Sequence, residues 1–131
     1  MIGLVIVTHC DLGKEFLNAA EFIVGHMDAV EVVPITETSD SEEILKMLKE
    51  KISSLNTGDG VIILTDMFGG TPSNVSLSFL QDKNIEVLTG VNLPMVIAIA
   101  QNRPILGLKD LAEKAQEAGK MSISLAGKLL E

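Results

Sequence analysis

The chain has one cysteine, four prolines and neither tryptophan nor tyrosine in 131 residues, and each scarcity removes a class of function. One thiol, Cys10, cannot build an internal disulfide framework, and it offers no CxxC or other zinc-type spacing. Four Phe are the only aromatics to draw on for base stacking, which argues against nucleic-acid binding. Positive charge is also short: ten Lys and Arg stand against eighteen Asp and Glu, a formal net charge of −8. Such a surface repels nucleic acid and anionic lipid and suits a basic protein partner. Hydrophobic residues make up 47% of the chain, yet no run approaches the roughly 18 uninterrupted apolar residues of a membrane span. Asp11 and Lys14 follow the first apolar run too closely for a signal peptide. The expectation is one cytoplasmic domain over residues 1–131, without stable membrane insertion, burying roughly two-thirds of the surface its unfolded form exposes.

What is present is an alternation. Runs of Val, Ile and Leu at residues 2–7, 30–35, 61–64 and 85–88 read as buried strands, and helical periodicity fills the gaps between them. Phe16, Ala20, Ile23 and Val24 share one helical face that Gly25 ends. Ser39 with Glu42 forms a capping box ahead of Ile44, Leu45, Leu48, Ile52 and Leu55. Pro72 and Pro94 each sit at a first helical position, where no N–H is needed. This order predicts an α/β fold: an open, mostly parallel sheet of four strands with helices on both faces. Leu108, Leu111, Ala112, Ala115 and Ala118 make a last helical face ended by Gly119. Residues 121–125 then alternate with period two, which predicts a C-terminal edge strand. An edge strand leaves N–H and C=O groups open to another copy, so pairing or strand exchange in a homodimer is expected.

Chemistry concentrates where three of the strands end. In open α/β sheets the ligand crevice lies beyond the carboxyl ends of the strands, and His9 closes the first apolar run. The segments at 65–74 and 89–95 should reach the same edge. In the former, Asp66 leaves a buried strand, Gly69 and Gly70 permit close backbone approach, and Thr71-Pro72 starts a helix. The free N–H groups of that helical turn, with Gly70 and the Thr71 and Ser73 hydroxyls, suit phosphoryl oxygens. Asp66, a poor anion ligand, is the natural partner of His9. A carboxylate bonded to one imidazole nitrogen fixes the tautomer, aims the other lone pair outward and stabilises the positive ring formed on phosphorylation.

Other readings compete at each position. Fold position alone leaves His9 open to being a hydrogen-bonded core histidine, and Asp66 to capping its glycine loop. His26, just past a helix, reads as structural. Cys10 points away from its neighbour His9 on leaving the strand and does not read as a catalytic thiol. Met67, Phe68 and Met95 suit either core packing or an exposed docking patch, with docking slightly favoured. Asp40-Ser41-Glu42-Glu43 reads as a solvated first helical turn. His9 and Asp66 alone fall short of the three protein ligands of a catalytic zinc, so no metal is expected. No cofactor is expected either.

Thr-His near the N-terminus, Leu-Thr-Asp-Met-Phe-Gly-Gly-Thr-Pro-Ser-Asn at 64–74 and Thr-Gly-Val-Asn-Leu-Pro-Met at 89–95 resemble the IIA component of the mannose/fructose family of the phosphoenolpyruvate-dependent sugar phosphotransferase system. The resemblance implies that His9 accepts a phosphoryl group from the phosphocarrier HPr and passes it to a IIB domain. It implies that Asp66 orients His9, that Thr71 gives a hydroxyl at the phosphoryl site, and that a homodimer exchanges C-terminal strands. Cys10 stands where relatives often carry a small residue. Phe68 replaces a tryptophan of the mannose-transporter member, which bears on partner preference. Ending at residue 131, the chain is expected to lack a fused IIB domain. Three alternatives remain open from sequence: a regulatory phosphohistidine protein read by a partner, a dihydroxyacetone kinase phosphocarrier subunit, and a small hydrolase using His9 and Asp66. The hydrolase lacks a G-x-S-x-G nucleophile elbow.

Overall fold

Strands dense in Val, Ile and Leu with no polar alternation must be covered on both faces, and this chain supplies helices on both. The computed structural model describes residues 1–131. The strands are β1 (Gly3–His9), β2 (Val30–Ile35), β3 (Val61–Thr65) and β4 (Ile85–Thr89). They form one sheet in the order β2-β1-β3-β4 with every neighbouring pair parallel. The helices are α1 (Leu12–Val24), α2 (Ser41–Leu55), α3 (Thr71–Leu77), α4 (Leu93–Asn102), α5 (Leu108–Met121) and the short α6 (Ala126–Leu129). None is long and apolar enough to cross a membrane.

The two-residue period of the strands sorts the core into halves. Leu4, Ile6, Ile62 and Leu64 join Ala20, Ile99 and Leu111 beneath α1, α4 and α5. Val5, Val7, Val61 and Ile63 join Ile44, Leu48 and Ile52 beneath α2. Register then places the site. Val7 pairs with Thr65, the last residue of β3, so β1 runs two residues past its neighbour and carries His9 over the end of β3. The chain leaves β1 toward β2 on one side while β3 lies on the other. The crevice between β1 and β3 is therefore the switch point of the sheet, where ligands bind in open α/β folds.

Four local expectations differ from the structure. The N-cap of α2 is Asp40, whose carboxylate accepts from the Glu42 N–H at 3.2 Å, while Ser39 Oγ accepts from the Thr36 N–H. Both residue types cap well; the turn at 36–39 takes the serine. Ile23 is exposed on α1, where Leu17 packs instead. Gly119 does not end α5: its missing Cβ admits Met95 and Asn92, since an added methyl would lie 2.9 Å from Met95 Cε, and the helix continues to Met121. Residues 121–125 form no strand in the single chain. Met121 completes α5, the Ser122 N–H donates to Ala118 O, and residues 123–125 form no ladder with any strand of the sheet. Alternation alone cannot make a strand without a partner edge.

Asn92 ties the α4–α5 corner. Its Oδ1 accepts from the Met95 N–H at 3.1 Å as the cap of α4, and its Nδ2 donates to Gly119 O at 3.0 Å. Asn92→Ala loses cap and clasp together and is expected to cost about 1–3 kcal/mol. Denaturant unfolding should show a lower midpoint with an unchanged slope.

Candidate active site

His9 stands at the projecting end of β1, its side chain 49% exposed, and Asp66 opens the loop after β3 with its side chain 10% exposed. Asp66 Oδ2 takes two bonds from the same residue: the His9 backbone N–H at 2.9 Å and ring Nδ1 at 2.8 Å. An ionised carboxylate only accepts, so Nδ1 carries the proton and Nε2 keeps its lone pair. Burial pushes the Asp66 carboxyl up, but the bonds from the His9 backbone and ring, together with the ring's charge, outweigh it. The group is held below its ordinary value of 3.8.

Two turns make this contact possible. Cys10 adopts φ 51°, an uncommon left-handed conformation for a residue with a side chain, and its N–H donates to Ile35 O at 2.8 Å. Thr8, fully buried, accepts the Gly13 N–H at 2.8 Å and so fixes the entry into α1. On the other side Gly69 and Gly70 have φ 85° and 84°, values glycine reaches without strain. Gly70 brings its backbone against the ring: an added Cβ would lie 3.5 Å from His9 Cε1 and 3.6 Å from Nε2. Thr71, half-buried, begins α3 with Pro72 beside it, one residue later than the sequence placed the proline. The first N–H groups of a helix have no intrahelical partner, and here they follow the glycine that lies beside the His9 ring.

The remaining candidates separate. Ser73 is fully buried and its hydroxyl meets no partner, so it faces the interior and is not presented to a group on exposed Nε2. The third segment stays outside the His9–Asp66 contact: the Val91 N–H donates to Thr65 O at 2.9 Å and Asn92 engages α5. Met95 is core, whereas Met67 and Phe68 are 55% and 74% exposed beside the histidine loop. Cys10 is exposed and unpaired. His26 lies at the surface with its ring nitrogens 3.1 Å from Glu21 and 3.0 Å from Asp28. No group of three His, Cys, Asp or Glu is arranged to hold a metal. Two features escape sequence reading: the second, backbone bond to Asp66, which no side-chain pattern encodes, and the buried Arg103, which donates to the carbonyls of Ile2, Ala29 and Asp28 beneath the sheet.

A carboxyl held below its unfolded value stabilises the fold above about pH 3.8, and that contribution is lost as pH falls through the folded value. Asp66→Asn should therefore be less stable than the parent chain at neutral pH, with the gap closing as pH drops below 3.8. Denaturant titrations across acid pH check this.

Comparison with known proteins identifies the family of the chain. The family model described as the PTS system fructose IIA component matches residues 3–116. The fructose-specific EIIA component of Bacillus subtilis is 26% identical over 132 residues, covering all of this chain and 90% of the relative. The sorbose-specific EIIA component of Lacticaseibacillus casei is 30% identical, covering 92% and 90%. The mannose-specific EIIAB component of Escherichia coli is 31% identical over 97 residues, 73% of this chain and only 30% of that longer protein. Among solved structures, an EIIA component from Streptococcus agalactiae superposes with a TM-score of 0.89 at 26% identity, covering 98% of this chain and 99% of that one. The chain belongs to the mannose/fructose IIA family and is a IIA component of the sugar phosphotransferase system.

Proposed function

We propose that His9 is a transient phosphoryl carrier, taking the group from HPr and delivering it to a IIB domain in the cytoplasm. The carrying observation is the Nδ1 contact of 2.8 Å to Asp66, which leaves Nε2 as the nucleophile on a half-exposed ring. As the phosphorus–nitrogen bond of the donor phosphohistidine breaks, a new one forms to Nε2. The ring becomes positive while its proton stays on Nδ1. Asp66, ionised and within hydrogen-bond distance, stabilises that charge. The phosphoryl oxygens face the Gly70–Thr71 turn, where N–H groups and the Thr71 hydroxyl donate. Delivery to IIB reverses the same step. Met67 and Phe68, exposed next to the histidine, are the apolar contact for the partners, and the net charge of −8 favours basic docking surfaces around it.

A homodimer is part of the same reading. The outer edge of β4 has no strand beside it. A cleft of about 250 Å³ lined by Val87, Leu88, Thr89, Met95 and Ile123 runs along it. Met121 at the end of α5 and Ile123, Leu125, Leu129 and Leu130 beyond it are all exposed. A second copy contributing its 121–130 segment to the edge would bury this apolar surface and pair the open backbone groups.

Incubation with phosphoenolpyruvate, enzyme I and HPr should give an acid-labile phosphoprotein, absent in His9→Ala; label persisting in that variant would refute the assignment. Asp66→Ala should fold and accept phosphoryl groups about ten- to a hundredfold more slowly, the loss expected for one hydrogen bond to a charged group. Sedimentation at micromolar concentration should return a dimer mass, and truncation after residue 121 a monomer mass. A monomeric full chain would remove the dimer.

A further inference from the structure

Two buried side-chain polar atoms have no hydrogen-bond partner, and they are complementary. Asp66 Oδ1 is an acceptor without a donor, and Ser73 Oγ carries a proton without an acceptor. Both belong to the loop and first helical turn that enclose His9. The fully buried hydroxyls elsewhere are engaged: Thr8 with Gly13, Thr65 with Met67 O at 3.5 Å, and Ser76 with Pro72 O at 2.6 Å. Ser76 sits in the same short helix and resolves its proton within that helix. Ser73 does not, although it is equally buried.

Ser73 stands seven residues after Asp66, across one loop and one helical turn. Asp66 follows the last residue of β3, and Gly70 turns back against the His9 ring. The Asn74 N–H donates to Gly70 O at 3.0 Å, closing the helical turn that holds Ser73. That turn belongs to α3, which packs on β1 and β3. A buried carboxylate oxygen and a buried hydroxyl are each costly when unpaired, and one contact relieves both.

We propose that Ser73 is a positioning residue for the His9–Asp66 pair, its hydroxyl donating to Asp66 Oδ1 through one buried water, both before and after His9 accepts the phosphoryl group. The role rests on the carrier function assigned to His9. Oδ2 is already held by two donors from His9. A third donor on Oδ1 stops the carboxylate from rotating about its Cβ–Cγ bond. It also lowers the basicity of the carboxylate, so that the proton stays on Nδ1 when the ring becomes charged.

The test is the Asp66 titration, followed by carboxyl carbon NMR in the unphosphorylated protein. Ser73→Ala should move its midpoint up by about one pH unit, the shift that losing one hydrogen bond to the ionised form produces. Ser76→Ala, a truncation one turn along, should leave it in place. Ser73→Cys fills the same space with a much weaker donor. It should shift Asp66 in the same direction, which keeps the question decidable if the alanine variant does not fold. Phosphoryl acceptance from HPr should fall about three- to tenfold in Ser73→Ala. An unmoved Asp66 midpoint in either Ser73 variant, or equal shifts from Ser73→Ala and Ser76→Ala, overturns the proposal. The carboxyl titration needs no phosphoryl donor, so it separates failure of this role from failure of the carrier function. The latter would appear as wild-type protein that takes no label on His9.

Discussion

One carboxylate oxygen receives both the backbone and the ring of the same histidine, and the geometry of the site follows from that double hold. The ring bond fixes which nitrogen carries the proton; the backbone bond fixes where the ring is rooted. A side-chain contact alone would leave the imidazole free to swing on its Cα–Cβ bond. With the main-chain N–H bound to the same atom, the end of β1 and the start of the loop after β3 are clasped together. The clasp exists because β1 outruns β3 by two residues, which sets His9 above the point where Asp66 emerges.

Much of this was legible in the residues because it depends on strand ends. Four β-branched runs give four strands, alternation with helices gives a parallel order, and a histidine and an aspartate closing two such runs must reach one rim. The Gly-Gly-Thr-Pro segment reads as a turn into a helix and becomes one. What resisted reading depends on what stands opposite a residue. Ile23 keeps the helical period of α1 yet faces solvent, because the sheet and α4 engage the neighbouring face. Ser39 and Asp40 are both good caps, and only the preceding turn decides between them. Residues 121–125 alternate as a strand does, but a strand is a relation between two chains of hydrogen bonds, and one sequence states only half of it. Ser73 carries a hydroxyl suited to phosphate, and its place on the inner side of α3 is set by packing rather than by composition.

The opposite end of the sheet is closed by different means. Arg103, buried after α4, spends its guanidinium on three main-chain carbonyls near the starts of β1 and β2. Burial lowers its pKa although Asp28 works the other way. The cation joins the end of α4 to the strands. The Arg103 contacts close one end of the sheet, and the His9–Asp66 pair stands at the other, open end.

Gly70 subjects its position to two unrelated filters. Its φ of 84° with ψ of 173° belongs to a region essentially closed to residues with a Cβ, and the space where that carbon would sit borders Nε2 of His9. Relaxing the loop to ease the first difficulty would leave the second, and enlarging the clearance would leave the first. No single compensating change elsewhere repairs both. A lineage that lost this glycine would have to rebuild the whole approach to the imidazole.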